Sequence, residues 1–267
     1  MSSTLDAVDS PLGTDAVRPA APQRKRRGVF YSAMVIAMSV VVLIGFGPSF
    51  YFHAVTGRSV HLPSVIVWIH GLVFTSWMLL LLLQTTLVRV GKVHWHRRVG
   101  IAGAGIAALM AVLGATVQIL QAHRDVAAGF RPIEDVDESS LLIGALFMMA
   151  IYAGLIGAAV RFRRQPEVHK RLILLGTVVL LGAATSRIAA LVARALPSLW
   201  PQAPLIDMAL NDAFILALAI HDLRVRGRFH PATVFGAIPI LLLQSLSFTS
   251  FYSSDSALAL TTWIGSL

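Results

Sequence analysis

Seven apolar stretches, most of them long enough to cross a bilayer, fill the greater part of this 267-residue sequence and restrict what it can fold into. They run over residues 29–52, 64–88, 99–121, 140–160, 171–193, 205–221 and 232–252. A hydrocarbon core of roughly 30 Å is crossed by about 20 helical residues, so the spacing predicts an all-α, polytopic membrane bundle of about seven transmembrane helices. Composition agrees: 56% of residues are hydrophobic and 13% charged, where a soluble domain carries roughly 25% charged residues. Seven helices and their loops use nearly the whole chain, which leaves one bundle over 28–252 between a polar tail, 1–27, and a C-terminal segment, 253–267. The tail, rich in Ser, Asp, Ala and Pro, reads as disordered. The C-terminal segment, with Trp263, is expected at the outer interface.

Orientation follows from the basic residues. Arg24, Lys25, Arg26 and Arg27 precede the first helix, and the turns after helices two, four and six carry Arg89, Lys92, Arg97 and Arg98, then Arg161, Arg163, Arg164, Lys170 and Arg171, then Arg224, Arg226 and Arg228. These positions hold 16 of the 22 Lys and Arg residues. The positive-inside rule puts them in the cytoplasm, with the N-terminus, and puts the C-terminus in the periplasm of a bacterial inner membrane. The opposite side takes an acidic loop with Asp125, Glu134, Asp135, Asp137 and Glu138. The first apolar stretch is too long for a cleaved signal peptide and lacks a small-residue cleavage site, so it is expected to act as a retained insertion signal. A net charge of +9 arranged this way marks topology, and nucleic acid is excluded as a partner. With no cysteine, disulfides, thiolate ligands and covalent haem attachment are excluded too.

The three basic turns resemble one another: LVRVGKVHWHRRVG, VRFRRQPEVHKRLILLG and DLRVRGRFHPATVFG each place Arg or Lys, then a His, then a Gly in the following helix. This weak repeat sets His96, His169 and His230 at similar depth, with His94 and His221 close by in sequence. Two readings are open. Imidazoles there satisfy helix ends and headgroup phosphates, or several of the five hold a metal ion without thiolates.

Ionisable groups inside the membrane form the other candidate site, because burying them is costly and marks a pair, a site or a pathway. Arg187, Asp212 and His70 all fall in the outer third of the bilayer by their positions along the helices. Arg187 and Asp212 could form an ion pair joining helices five and six; alternatively, His70, Arg187, Asn211 and Asp212 line a polar pocket open to the periplasm. A b-type haem would require His70 together with His53 or His123, since His221 lies toward the other face. His61 lies near the same outer loops but fits no ligand spacing. A retinal Schiff base is unsupported without a lysine in helix seven, and the histidine boxes of di-iron hydroxylases are missing.

The block from His70-Gly71 through Trp77, Gln84, Leu87-Val88-Arg89, Gly91 and His96-Arg97-Arg98-Val99-Gly100 resembles a signature of bacterial polytopic membrane proteins of no established activity. Residues 169–176, Arg187 and 221–236 look like further pieces of that pattern, so the resemblance covers roughly 60–245. Helices two and three alone are similar to small membrane proteins that help to mature haem-copper oxidases. The leading reading is a non-enzymatic accessory or assembly-type protein that binds through a polar intramembrane site, with another membrane complex as a partner. The alternative is a redox enzyme using a His-ligated metal ion or b-type haem, and whether the chain is an enzyme stays open at this point. Small-molecule transport is disfavoured, because seven helices make no even inverted pair.

Overall fold

A computed structural model describes residues 21–52, 65–127, 136–246 and 255–266, and these are 93% helical with no strands. The helices are α1 (Ala21–Phe46), α2 (Val65–Arg89), α3 (Val93–Ala127), α4 (Val136–Arg161), α5 (Pro166–Ala195), α6 (Ala203–Arg226), α7 (Pro231–Leu246) and α8 (Asp255–Ser266). The first six are long and apolar enough to span a membrane, and α7 is a shorter apolar helix of 16 residues. The chain is therefore a polytopic helical membrane protein, as its apolar stretches predict.

Helix ends differ from the sequence expectation in one consistent way. Apolar periodicity stops where charge begins, but Lys, Arg, Glu and Gln are good helix formers, so the helices continue through the basic segments. Helix α3 begins at Val93 rather than near 99, α5 at Pro166 rather than 171, and α6 runs on to Arg226 rather than 221. The turns shrink accordingly, and glycine closes two of them. Gly91, at φ 78°, lies between Arg89 and Lys92, whose amide donates to the Leu87 carbonyl (2.8 Å). Gly227, at φ 69°, ends α6 with its amide on the Leu223 carbonyl (2.9 Å). Pro166 and Pro231 open α5 and α7 at positions where a missing N–H costs nothing.

Helix α5 lies at the centre. Two-thirds of its apolar window is buried (67%), against 17–39% in the other long helices. It packs on α1, α4, α6 and α7, while α1–α2, α2–α3, α3–α4, α4–α7 and α7–α6 neighbour one another around it. A helix enclosed over most of its surface needs little polar face, and the run Leu174–Leu181 of α5 is buried throughout. Its small residues let neighbours approach closely: a Cβ on Gly45 of α1 would stand 2.5 Å from the Ala184 carbonyl oxygen. Trp77 of α2 donates to Thr177 Oγ1 of α5 (3.3 Å) and meets Tyr152 of α4 edge-on at 6.3 Å. The Tyr152 hydroxyl lies 3.9 Å from the sulfur of Met110 on α3, so one cluster ties four helices together. Helix α8 packs on α3 and α4, where the His123 Nδ1–H donates to the Gly265 carbonyl (2.8 Å).

Candidate functional site

At the end of the bundle that carries the basic turns, the side chains form a network centred on Arg171 and Asp222. Both are buried, at 1% and 0% exposure. Arg171 Nε donates to Asp222 Oδ1 (3.0 Å), and its Nη2 makes a second, closer bond to the same oxygen. Asp222 Oδ2 accepts from the His230 amide (3.2 Å) and from the Thr233 hydroxyl. The remaining Arg171 nitrogen donates to the Glu167 carbonyl and carboxylate, each at 2.7 Å. A buried ion pair is tolerated only when its remaining donors and acceptors are satisfied, and these are. The network ties α5 to α6 and to the first turn of α7. Helix α1 joins through Tyr31, whose ring lies under the Lys170 ammonium (4.3 Å), and through Phe30, stacked on His221 at 3.9 Å.

The histidines of the three turns each clasp the preceding part of their own hairpin. His169 Nδ1 bonds to the Ala159 carbonyl (2.8 Å), so that nitrogen carries the proton. Gln84 of α2 accepts from the Gly100 amide (3.0 Å), which turns its NH2 toward the His96 carbonyl and Nδ1. In that orientation His96 Nδ1 is an acceptor and Nε2 holds the proton. His96 and His169 lie 6.5 Å apart, edge to face. His221 is engaged by Phe30, His230 caps α7, and His94 stands beside Trp95. Among the described residues, no three His, Asp or Glu side chains are grouped as metal ligands would be.

His230 shows what such a clasp does. Its Nδ1 accepts from the Ala232 amide (3.0 Å) and its carbonyl from Thr233 and Val234, so it is the N-cap of α7. Only a neutral imidazole can accept there. Burial, together with the Arg171 and Arg226 guanidinium groups, pushes the His230 imidazole below its ordinary range. The unfolded chain, titrating near 6.5, then binds a proton that the folded chain refuses, so this contribution to stability is complete above about pH 6.5 and is lost as pH falls through the lowered value. We expect unfolding curves in detergent to show stability declining below pH 6.5. His230→Asn keeps a capping acceptor without a titrating group and should reduce that decline; an identical decline in wild type and variant would show that His230 does not cause it.

The other end of the bundle is built differently. Asp207, Asn211 and Asp212 follow one another on α6, and buried oxygens of all three, with Gln244 Oε1 of α7, have no hydrogen-bond partner. Asn211 is 3% exposed and packs on Gly182 of α5; Asp207 lies beside Thr185, and Asp212 beside Gln244. The expected Arg187–Asp212 ion pair is not formed. Arg187 turns toward α1, where its guanidinium lies 4.4 Å from the centre of the Phe46 ring and donates to the Ala183 carbonyl (2.6 Å). Thr185 and Arg187 point about 200° apart around α5, so a helix that presents Thr185 to α6 cannot also present Arg187. His70, on α2, has a buried Nδ1 without a partner and sits beside Gly71, which packs on Phe50. Of the four expected pocket residues, Asn211 faces Gly182 of α5 and Asp212 faces Gln244 of α7, while Arg187 lies on the α1 face of α5 and His70 on α2. His53 and His61 lie outside the described residues, as do Glu134 and Asp135 of the acidic loop.

Arg171, Asp222, Gln84, Asp207 and Gln244 were not singled out as site residues from sequence. One signal existed for Asp222: with Glu167, it is one of only two carboxylates among the three basic turns and their flanking helix ends. Asp207 and Asn211 carry the i, i+4 spacing of one helix face. Comparison with family models, with curated proteins and with solved structures finds no match.

Proposed function

We propose that this chain is a multi-pass bacterial inner-membrane protein with its basic end in the cytoplasm, acting as an accessory or assembly-type binding protein through a polar site inside the bundle. The observation that carries this reading is the contrast between the two ends. At the basic end the buried ion pair has its partners, which is how a structural clasp is built, and the Tyr31 hydroxyl alone is left without one there among the described residues. At the other end Asp207, Asn211, Asp212 and Gln244 hold buried oxygens without partners. Such groups cost folding free energy and mark a place where something binds. The site lies on the half of α6 nearest its N-terminus and opens to the periplasm. Among the described residues no three His, Asp or Glu side chains are grouped there, and binding is the reading we adopt, with lipid around the bundle and another membrane complex as the partner.

The absence of cysteine makes the test direct. A single cysteine at Asp207 should react with a membrane-impermeant thiol reagent added to intact spheroplasts, whereas one at the exposed Arg163 should react only after permeabilisation. The reverse pattern would overturn the orientation. Labelling at 207 from neither side would overturn an open site.

A further inference from the structure

We propose that the seam between α5 and α6, formed by Asp207, Asn211 and Thr185, binds a small hard monovalent cation, sodium being the probe that fits its chemistry. The inference rests on the reading of α6 as the binding site and names its ligand class. Three observations bear on it. Asp207 and Asn211 lie one helical turn apart on α6, and the Oδ1 of each is buried without a partner. Asn211 is almost wholly enclosed, and Gly182 beneath it is the small residue that leaves its side chain room; an added Cβ there would come within 3.5 Å of Asn211 Nδ2. Thr185, one turn along α5 from Gly182, lies beside the Asp207 carboxylate. The seam thus offers a carboxylate, an amide oxygen and a hydroxyl oxygen, a hard donor set suited to hard cations and unsuited to soft metals.

Charge narrows the choice. The ion pairs among the described residues are all at the basic end, and Arg187 is turned to the α1 side of α5, so no described cation neutralises Asp207. A lone carboxylate at this depth is costly. The α5–α6 seam itself holds one carboxylate, Asp207, because Asp212 is turned toward Gln244 of α7, and one monovalent cation balances it. Asp212 projects about 100° further round α6, beside Gln244, and contributes to the adjoining part of the site.

The test is thermal unfolding of the purified full-length protein in detergent, in sodium chloride and in choline chloride at one ionic strength. A ligand that binds only the folded chain raises Tm, here by about 3 °C or more once sodium is roughly tenfold above its Kd. Asp207→Asn and Asn211→Leu should each abolish the sodium increment, and Arg163→Gln should keep it. Equal Tm values in the two salts, or an increment that survives Asp207→Asn, would overturn the cation assignment. The wider reading fails separately: if Asn211→Leu stabilises the chain in choline while sodium has no effect, the polar site stands with another ligand, and if it does neither, the site falls as well.

Discussion

Replacing Asp222 with leucine is expected to destabilise the folded protein by about 3–5 kcal/mol, the largest effect of any single change considered for this chain. The substitution strands the Arg171 guanidinium at 1% exposure and removes the acceptor of the Thr233 hydroxyl and the His230 amide. Glu167 keeps its carbonyl and carboxylate contacts with one Arg171 nitrogen, but its side chain is 42% exposed, so it replaces little of what Asp222 supplies. The double variant Arg171→Met, Asp222→Leu should recover most of the loss, because removing both charges also removes the desolvation cost that made the pair necessary. Reversible unfolding in mixed micelles, followed by far-UV circular dichroism, gives the four corners of the cycle. Additive losses would show that the two residues do not act as a pair.

Asn211→Leu should move stability the other way, upward by about 1–3 kcal/mol in sodium-free buffer. Leucine keeps the Cγ branching of asparagine but its two methyl groups take more room, which Gly182 beside it leaves free, and a buried amide oxygen without a partner is replaced by apolar surface. A buried polar group that would be better replaced by carbon is held against folding stability, and function is the usual reason. A loss of stability would mean that the Asn211 side chain has a structural bond and is not part of a waiting site.

How much of this was legible in the residues depends on which coordinate is asked for. Depth was legible. The apolar runs gave the helices and their order, and the positive residues gathered at one end of the bundle. Azimuth was not. Counted along the sequence, Arg187 and Asp212 fall in the same third of the bilayer, which makes an ion pair the simplest expectation, but Asn211 packs on Gly182, five residues along α5 from Arg187, and Arg187 faces α1 while Asp212 faces α7. Only packing around the central α5 sets those directions. The basic turns were read by their cations, since the positive-inside rule gives carboxylates little weight, and for that reason Asp222 and Glu167 passed unnoticed. From sequence Arg171 reads as a topology signal at the edge of the fifth apolar stretch, whereas α5 begins five residues earlier and carries it into the core. The recurring histidines did mark something real in the chain. Each engages the preceding part of its hairpin through a different partner: Gln84 for His96, Ala159 for His169, and Asp222 through the backbone of His230. A repeat in sequence can therefore serve as three local clasps without gathering into one site.

The claim that the two buried polar groups differ in kind, one a satisfied clasp and the other an open binding site, is tested most directly by measuring Asp222→Leu and Asn211→Leu in a single unfolding assay in sodium-free detergent buffer. Both substitutions put leucine in place of a buried polar side chain on the same helix. The structure predicts opposite signs, a marked loss for Asp222→Leu and a gain for Asn211→Leu. Losses at both positions would contradict the distinction and with it the assignment of the α6 site.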